Sequence, residues 1–172
     1  MAISVYVADL SDYNAGKFTG FWADLDDYYD SDELHEAIQD FLTEQTNADQ
    51  YGYLHEEYAI HDYNCGFDID LSSEYPNFDE LFKINELLNE YGDAFAAYYS
   101  NGYINDYDRW EDDFNNRYQG EMTMEEYTEH LVDDGCFGDI AESIKCYINY
   151  EAIARDLKCE YTEINGFIFS DY

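Results

Sequence analysis

The sequence predicts an α+β protein, and three of its features support that prediction. Residues 3–9 alternate in character and place Ile3, Val5 and Val7 on one face, which is typical of a strand. Three later segments open with a polar capping residue, with Glu three positions on and apolar residues at helical spacing behind it. Near the C-terminus, two β-prone runs flank Asn165-Gly166, a pair favoured in type I′ hairpin turns.

The N-terminal part is predicted to be an α+β domain over residues 1–65. Its strands are predicted at 3–9, 18–25 and 56–63, with a loop at 10–17 and a helix at about 32–45. Asp30 and Glu33 form the capping box of this helix. Its apolar stripe consists of Leu34, Ile38, Phe41 and Leu42. An acidic residue recurs at every fourth position on the other side, and these four form the N-terminal acidic line: Asp32, Glu36, Asp40 and Glu44.

A change in composition marks the first boundary, because residues 64–76 contain a glycine, a pair of serines and the only proline. The following segment, residues 66–104, is predicted to be a small helical domain. Its first helix is capped by Asn77 and Glu80 and runs to about Tyr91. The inward residues of that helix are Leu81, Ile84, Leu87 and Leu88. A second, shorter helix is expected to end at Asn101-Gly102.

The C-terminal part, residues 105–172, is predicted to be a second α+β domain. An aromatic stripe marks its first helix: Trp110, Phe114 and Tyr118. Glu111 and Asp112 point away from this stripe, and Gly120 is expected to stop the helix. After the next helix, short helices are expected near residues 140–147 and 150–157, followed by the hairpin.

The intervening helix starts at a Thr123/Glu126 capping box and ends at Gly135. It carries the C-terminal acidic line, which consists of Glu125, Glu129 and Asp133. Members of such a line are about 6 Å apart along the axis, and like charges at that spacing destabilise a helix by roughly 0.2–0.5 kcal/mol per pair. Folding alone does not explain why acidic residues occupy these positions, although a solvated helix face remains the simple alternative.

The overall charge of the chain supports a functional interpretation of the acidic lines. The 172 residues include 41 acidic and 7 basic ones, for a formal net charge of −34. Because the chain also has 20 Tyr and 11 Phe, a folded core is expected rather than disorder. Nucleic acid and anionic membranes are excluded as partners, since both require clustered Lys and Arg. A cationic partner is implied.

The charge also bears on shape. A duplex carries one charge per ~1.7 Å of axis, so 34 charges correspond to about 58 Å or about 17 base pairs. A compact globule of this length would be only about 40 Å across. Spreading the charge at duplex density therefore favours an elongated molecule.

No catalytic or metal motif emerges. The chain has no G-x-G-x-x-G, Walker or G-x-S-x-G motif, and carboxylate pairs arise by chance in so acidic a sequence. The best calcium-loop window, residues 26–37, has Ser31 where Gly is needed and Ala37 where Glu is needed. The His and Cys spacings match no zinc motif. We therefore expect a protein that is not an enzyme and binds no metal or cofactor.

The start of the chain resembles neither a signal peptide nor a membrane span, so a cytoplasmic protein is expected. The four cysteines are then expected to be free thiols that are buried rather than reactive: Cys65, Cys136, Cys146 and Cys159.

Three stretches resemble the ArdA family of antirestriction proteins. They are the N-terminal ISVYVADLSDYNAGKFTGFWADL, the central MTMEEYTEHLVDDGCFGDI and the C-terminal YINYEAIARDL with the hairpin after it. Between residues 24 and 60 the resemblance is mainly one of composition. Asp9 departs from the small or neutral residue that the family would have there, and it is expected simply to add charge.

The resemblance implies an elongated, curved homodimer with three small domains per chain. It also implies a mimic of B-form DNA, made by phages or mobile elements, that occupies the DNA channel of type I restriction–modification enzymes. The antirestriction motif then lies at residues 124–138, and its acidic members are Glu125, Glu126, Glu129, Asp133 and Asp134. The dimer contact is expected to include Phe137, Ile140 and Ile144.

The residues alone leave three other classes open. A halophilic domain would be equally acidic but would unfold at low salt, whereas a mimic would stay folded. An acidic chaperone for basic proteins usually carries its charge in a tail, while here the acids are dispersed through patterned segments. An acidic calcium buffer would bind the cation stoichiometrically.

Overall fold

The computed structural model describes residues 3–103 and 106–172, and the chain forms two compact units, Met1–Ala96 and Ala97–Tyr172. Within the described residues, two small antiparallel sheets and eight α-helices confirm the predicted α+β class. The division into three domains stays a prediction. No helix in the described ranges has the length and apolar character needed to cross a membrane.

The first unit contains a three-stranded antiparallel sheet in the order β2-β1-β3. Its strands are β1 (Ile3–Asp9), β2 (Gly20–Asp24) and β3 (Tyr58–Cys65), close to the predicted positions. Ile3, Val5 and Val7 are fully buried, as their alternation predicted. One face of the central strand therefore supplies the core of this unit.

Two long helices accompany the sheet, α2 (Ser31–Ala48) and α3 (Phe78–Tyr91). A third helix, α4 (Asp93–Asn101), begins in this unit and ends in the second one. The Phe41 ring of α2 lies 5.0 Å from the Phe21 ring of β2, and the Asn85 side chain of α3 accepts a hydrogen bond from the Ile3 N–H of β1. These contacts attach α2 and α3 to the strands.

The predicted loop at residues 10–17 is wrong in part, because its first residues form a short helix, α1 (Leu10–Asn14). Asp9 caps this helix by accepting hydrogen bonds from the N–H groups of Ser11 and Asp12. Five residues are too few to show an apolar period, so only the capping residue could have indicated the helix.

The second unit holds four more helices and three strands. In chain order these are α5 (Trp110–Arg117), β4 (Tyr118–Glu121), α6 (Met124–Asp133), α7 (Glu142–Lys145), α8 (Tyr150–Leu157), β5 (Tyr161–Ile164) and β6 (Phe167–Ser170). The sheet has the order β4-β6-β5 and is antiparallel throughout. The predicted hairpin is confirmed, since Asn165 and Gly166 have φ angles of 52° and 87°.

The aromatic stripe does not continue along one helix as predicted. The helix ends at Arg117, and Tyr118 begins β4, which pairs with β6. Gly120 therefore lies within a strand rather than at a helix end. It has φ +134°, and the register of β4 against β6 shifts beside it. Pairing with a strand about fifty residues away overrode the local helical pattern.

Aromatic rings fill the interior of the second unit. Tyr98 and Phe114 are fully buried in edge-to-face contact at 5.6 Å, and Phe169 of β6 packs beside both. The Tyr98 hydroxyl donates to Asp113 Oδ2 at 2.9 Å, and burial raises the pKa of this tyrosine. Tyrosine thus contributes core volume while its hydroxyl keeps a polar partner.

The cysteines are free thiols, as expected, but the expectation of burial is wrong. Cys136, Cys146 and Cys159 are exposed and Cys65 is half-buried.

Candidate acidic interface

The N-terminal acidic line lies on the exposed face of α2. Leu34, Ile38 and Leu42 are buried on the other face, as predicted, while Phe41 is half-buried. Its four carboxylates are all exposed: Asp32, Glu36, Asp40 and Glu44. Over twelve residues the line extends about 18 Å along the helix axis. The helix thus holds a row of negative charge in water on a backbone anchored by its apolar side.

Only half of the predicted capping box of α2 is present. Asp30 accepts a hydrogen bond from the Glu33 N–H at 3.0 Å, as a capping residue should. The Glu33 carboxylate accepts instead from the N–H of Tyr29, one residue before the expected donor. Both carboxylates serve the helix start, where the partial positive charge of the helix favours them.

The capping box of α6 is complete. Thr123 Oγ1 accepts from the Glu126 N–H at 3.2 Å, and Glu126 Oε2 accepts from the Thr123 N–H at 2.8 Å. The hydrogen bonds that the Glu126 carboxylate accepts from Thr123, first from the backbone N–H and then from the hydroxyl, hold the pKa of Glu126 below its ordinary value. Glu126 therefore stabilises the helix in addition to carrying a surface charge.

The buried face of α6 fixes where its acids point. Met124 and Tyr127 pack in one cluster with Ala154 of α8 and Ile168 of β6. The Tyr127 hydroxyl also donates to Gln119 Oε1 at 3.1 Å. The C-terminal acidic line lies on the exposed face, with Asp134 directly beyond the helix: Glu125, Glu129 and Asp133.

One member of this line has a cationic partner. Lys145 Nζ lies 2.6 Å from Asp133 Oδ1 and 2.7 Å from Glu142 Oε1. The hydrogen bonds to Asp133 and Glu142, in that order, raise the pKa of Lys145, so the lysine stays charged. Its positive charge offsets part of the negative charge at this end of the helix.

The predicted acids of α5 differ from each other. Asp112 is exposed and Glu111 is half-buried. The next carboxylate, Asp113, accepts from Arg117 Nε at 2.7 Å as well as from the Tyr98 hydroxyl. Asp113 is therefore used inside the unit rather than as free surface charge.

Basic side chains are mostly placed beside acids. Within the part of the chain that the structure describes, five of them lie within 4.0 Å of a carboxylate: Lys17, Lys83, Arg117, Lys145 and Arg155. Among buried polar residues, in contrast, the only carboxylates in the described ranges are Asp9 and Asp12. The surface is therefore strongly negative, and most of its few positive charges are paired locally.

A buried polar cluster in the first unit was missed from the sequence. Asp9 binds His55 Nδ1, and Asp12 accepts from Lys17 Nζ at 2.9 Å and from Thr19 Oγ1 at 2.5 Å. His55 Nε2 lies 3.7 Å from an oxygen of Asp49. Asp9 thus adds no surface charge, contrary to expectation. The order Asp-x-Ser-Asp-Tyr around a strand end could have indicated the cap, but nothing local indicated His55.

Three ligand atoms of this cluster, one each from Asp9, Asp12 and His55, lie within 4.8 Å of one another and could hold a metal ion. The carboxylates are already engaged, however, in the helix cap, the histidine contact and the hydrogen bonds to Lys17 and Thr19. The hydrogen bonds from Thr19 and Lys17 hold the pKa of Asp12 below its ordinary value. These hydrogen bonds explain the cluster as a structural network without a bound metal.

The calcium-loop window has another role as well. Asp26 accepts hydrogen bonds from the side-chain amides of Asn85 and Asn89 at 2.8 and 2.9 Å. The bond from Asn85 is the first cause of the lowered pKa of Asp26. This carboxylate therefore helps to fasten α3 within the first unit.

The residues predicted for a dimer contact lie on the surface around α7. Phe137 and Ile144 are 48% and 54% exposed, Ile140 is half-buried, and nearby Tyr147 is 83% exposed. Exposed apolar side chains this close in sequence are unusual for an otherwise charged surface.

A comparison with curated protein sequences gave no match. The sequence profile of the family described as "Antirestriction protein (ArdA)" matches residues 5–168 of the 172. That match includes both acidic lines, the Asn165-Gly166 turn and most of the buried residues of both units. The chain belongs to the ArdA family of antirestriction proteins.

Proposed function

We propose that this protein is a mimic of B-form DNA that occupies the DNA-binding channel of type I restriction–modification enzymes. It competes with DNA for that channel and so inhibits both cleavage and methylation, without performing chemistry itself. The observation that carries the proposal is the pair of acidic lines, each held on the exposed face of a helix whose other face is buried. The proposed setting is the bacterial cytoplasm, with the gene on a phage or other mobile element.

The charge density supports a mimic built from several lines. One carboxylate per four residues gives one charge per about 6 Å of helix axis, whereas a duplex has one per ~1.7 Å. A single line therefore supplies less than a third of the duplex density. The net charge of −34 is enough for about 17 base pairs if several lines act together.

Competition follows from electrostatics. A restriction enzyme must keep a basic channel to hold phosphates, and a negatively charged ligand is steered into such a channel and associates faster. Helical carboxylates on an anchored backbone keep their positions without the flexible tails of an acidic chaperone. The inhibitor would thus resemble the substrate in charge rather than in covalent structure.

The proposal includes an elongated, curved homodimer. Phe137, Ile140 and Ile144 are the proposed contact, and burial of Phe137 and Ile144 would remove exposed apolar surface from water. Two copies would carry charge equivalent to roughly 34 base pairs, and a two-fold axis would match a bipartite DNA site.

The direct test measures displacement of a labelled DNA duplex from a purified type I methyltransferase core. Wild-type protein should displace the duplex and stop methylation at low salt, and the inhibition should weaken as salt rises. A variant with Glu125, Glu129 and Asp133 changed to Lys should compete poorly. Circular dichroism at low salt should show the wild type folded, unlike a halophilic domain.

Failure of the wild type to displace DNA at low salt would rule out the mimic. Equal competition by the lysine variant would show that the C-terminal acidic line is a solvated face only.

A further inference from the structure

The first unit contains a cleft that neither acidic line explains. It has a volume of about 480 Å³ and lies along the outer part of β3. Four consecutive residues of β3 line it, together with Tyr13 of α1 and three residues of the segment after β3, among them Glu74. Among the described residues, no lysine or arginine lines it, so its two carboxylates have no cation of their own in the cleft.

A β-bulge shapes one wall of the cleft. Tyr6 of β1 lies opposite Asp62, whereas the next residue, Val7, lies opposite Ile60, so His61 is the extra residue. Bulges redirect side chains, and here the His61 ring contacts the Tyr13 ring edge-to-face at 4.6 Å. Outside the cleft lining, the Phe18 ring lies 6.2 Å from the Tyr13 ring.

The opposite wall is tied to the strand by hydrogen bonds. The Ile60 N–H donates to the Glu74 carbonyl at 2.9 Å, and the Tyr63 hydroxyl donates to the Ser73 carbonyl at 2.5 Å. Burial raises the pKa of Tyr63 to about 12, so its hydroxyl stays protonated as a donor. These two bonds fix the backbone of Ser73 and Glu74 against β3, while Asp62 Oδ1 accepts from the Tyr63 N–H at 2.8 Å.

Two aromatic rings in this part of the first unit are open to solvent. Tyr13 is 47% exposed and Phe18 is 86% exposed. On the neighbouring strands, Tyr6 of β1 lies opposite both Asp62 and Trp22, and the Trp22 ring is 5.5 Å from that of Tyr6. Aromatic faces attract cations, and a guanidinium group can stack on a ring while donating to carboxylates.

We propose that this cleft binds one arginine side chain from the basic DNA-binding surface of the restriction enzyme. The guanidinium stacks on Tyr13 and donates hydrogen bonds to the carboxylates of Asp62 and Glu74. Arginine fits better than lysine because its planar fork can meet two carboxylates and a ring at once. This proposal rests on the proposed function and adds a specific anchor to the diffuse attraction of the acidic lines.

The first test uses a probe in place of the enzyme. The full-length protein is titrated with N-acetylarginine amide, and with the neutral isostere N-acetylcitrulline amide as the control, while amide NMR shifts are followed. Arginine should shift the amides of Tyr13, His61 and Asp62 at least threefold more than citrulline. Equal shifts with both probes, or shifts spread along α2 and α6 instead, would refute the cleft as an arginine site.

The second test uses competition for the methyltransferase core. Asp62→Asn with Glu74→Gln should weaken competition about five- to thirtyfold, as expected for lost charge-assisted and stacked contacts. The matched control, Glu86→Gln with Glu90→Gln, removes the same charge from the exposed face of α3 and should weaken it less than threefold.

Equal weakening by the two double variants would overturn the arginine site while leaving the mimic intact, because the wild type would still displace DNA. Failure of the wild type to compete would instead refute the proposed function, and the NMR titration would still decide whether the cleft binds arginine.

Discussion

The acidic helices α2 and α6 use their carboxylates in different ways. Along α2, four exposed acids form a line in which no member has an ion pair within the described part of the chain. Along α6, Glu126 closes a capping box and Asp133 binds Lys145. Apart from Asp32 in the first turn, the α2 line thus destabilises its helix through repulsion, whereas some acids of α6 stabilise the structure around them.

This difference separates two explanations of an acidic surface. If carboxylates were chosen only to solvate helices, paired arrangements like that of α6 would suffice, since they repel less. An unpaired row such as that of α2 makes physical sense when a cationic partner supplies the missing charges. We therefore expect α2 to contribute more to binding than to folding, and α6 to contribute to both.

The largest expected effect comes from neutralising the α2 line with Glu36→Gln, Asp40→Asn and Glu44→Gln. Three like-charge pairs disappear, so the free energy of unfolding should rise by about 1 kcal/mol. Affinity for the methyltransferase core should fall about tenfold or more at low salt, since three exposed charges are lost. Urea denaturation and duplex competition measure the two quantities.

The same number of neutral substitutions on α3 is the control for general charge loss. If the α2 variant bound as tightly as wild type, the row would be a solvated face and the contrast between the helices would have no functional meaning.

The sequence predicted the elements whose signal is local. Long helices with a buried stripe, such as that of Leu34, Ile38 and Leu42, appear where periodicity placed them, and so does the hairpin at Asn165-Gly166. The exposed positions of both acidic lines followed from the same periodicity, because the side opposite a buried stripe faces water.

Features that depend on distant partners could not be predicted in this way. Tyr118 continued a helical pattern but pairs with Phe169 in a sheet. Asp9 looked like surface charge but is buried with His55, forty-six residues away. The ion pair between Asp133 and Lys145 depends on a turn between two helices whose geometry no local motif encodes.

A smaller effect is expected from Lys145→Met. Removing this cation frees Asp133 and Glu142, so the end of the α6 line becomes more negative. Competition for the methyltransferase core should become severalfold stronger at low salt, and the gain should fade as salt screens it. Lys83→Met is the matched control, because it also removes a surface lysine that pairs with a glutamate. An equal gain from both variants would mean that only net charge matters and that α6 has no special place in binding.

The smallest effect concerns pH and the α6 cap. The hydrogen bonds from Thr123 lower the pKa of Glu126 in the folded protein, so its ionised form is the one that folding favours. Its contribution to stability is therefore complete above the unfolded pKa of about 4.3 and is lost as pH falls through the lower folded value. In urea denaturation, wild type should exceed Glu126→Ala by a constant margin from pH 7 to about pH 5 and by a shrinking margin below that. Glu129→Ala removes a charge from the same helix without touching the cap, so the difference between the two variants isolates the capping box.

The opposite result would be a stability difference between wild type and Glu126→Ala that grows as pH falls. That result would show that the carboxylate acts through repulsion with its neighbours and would refute its role as a cap of α6.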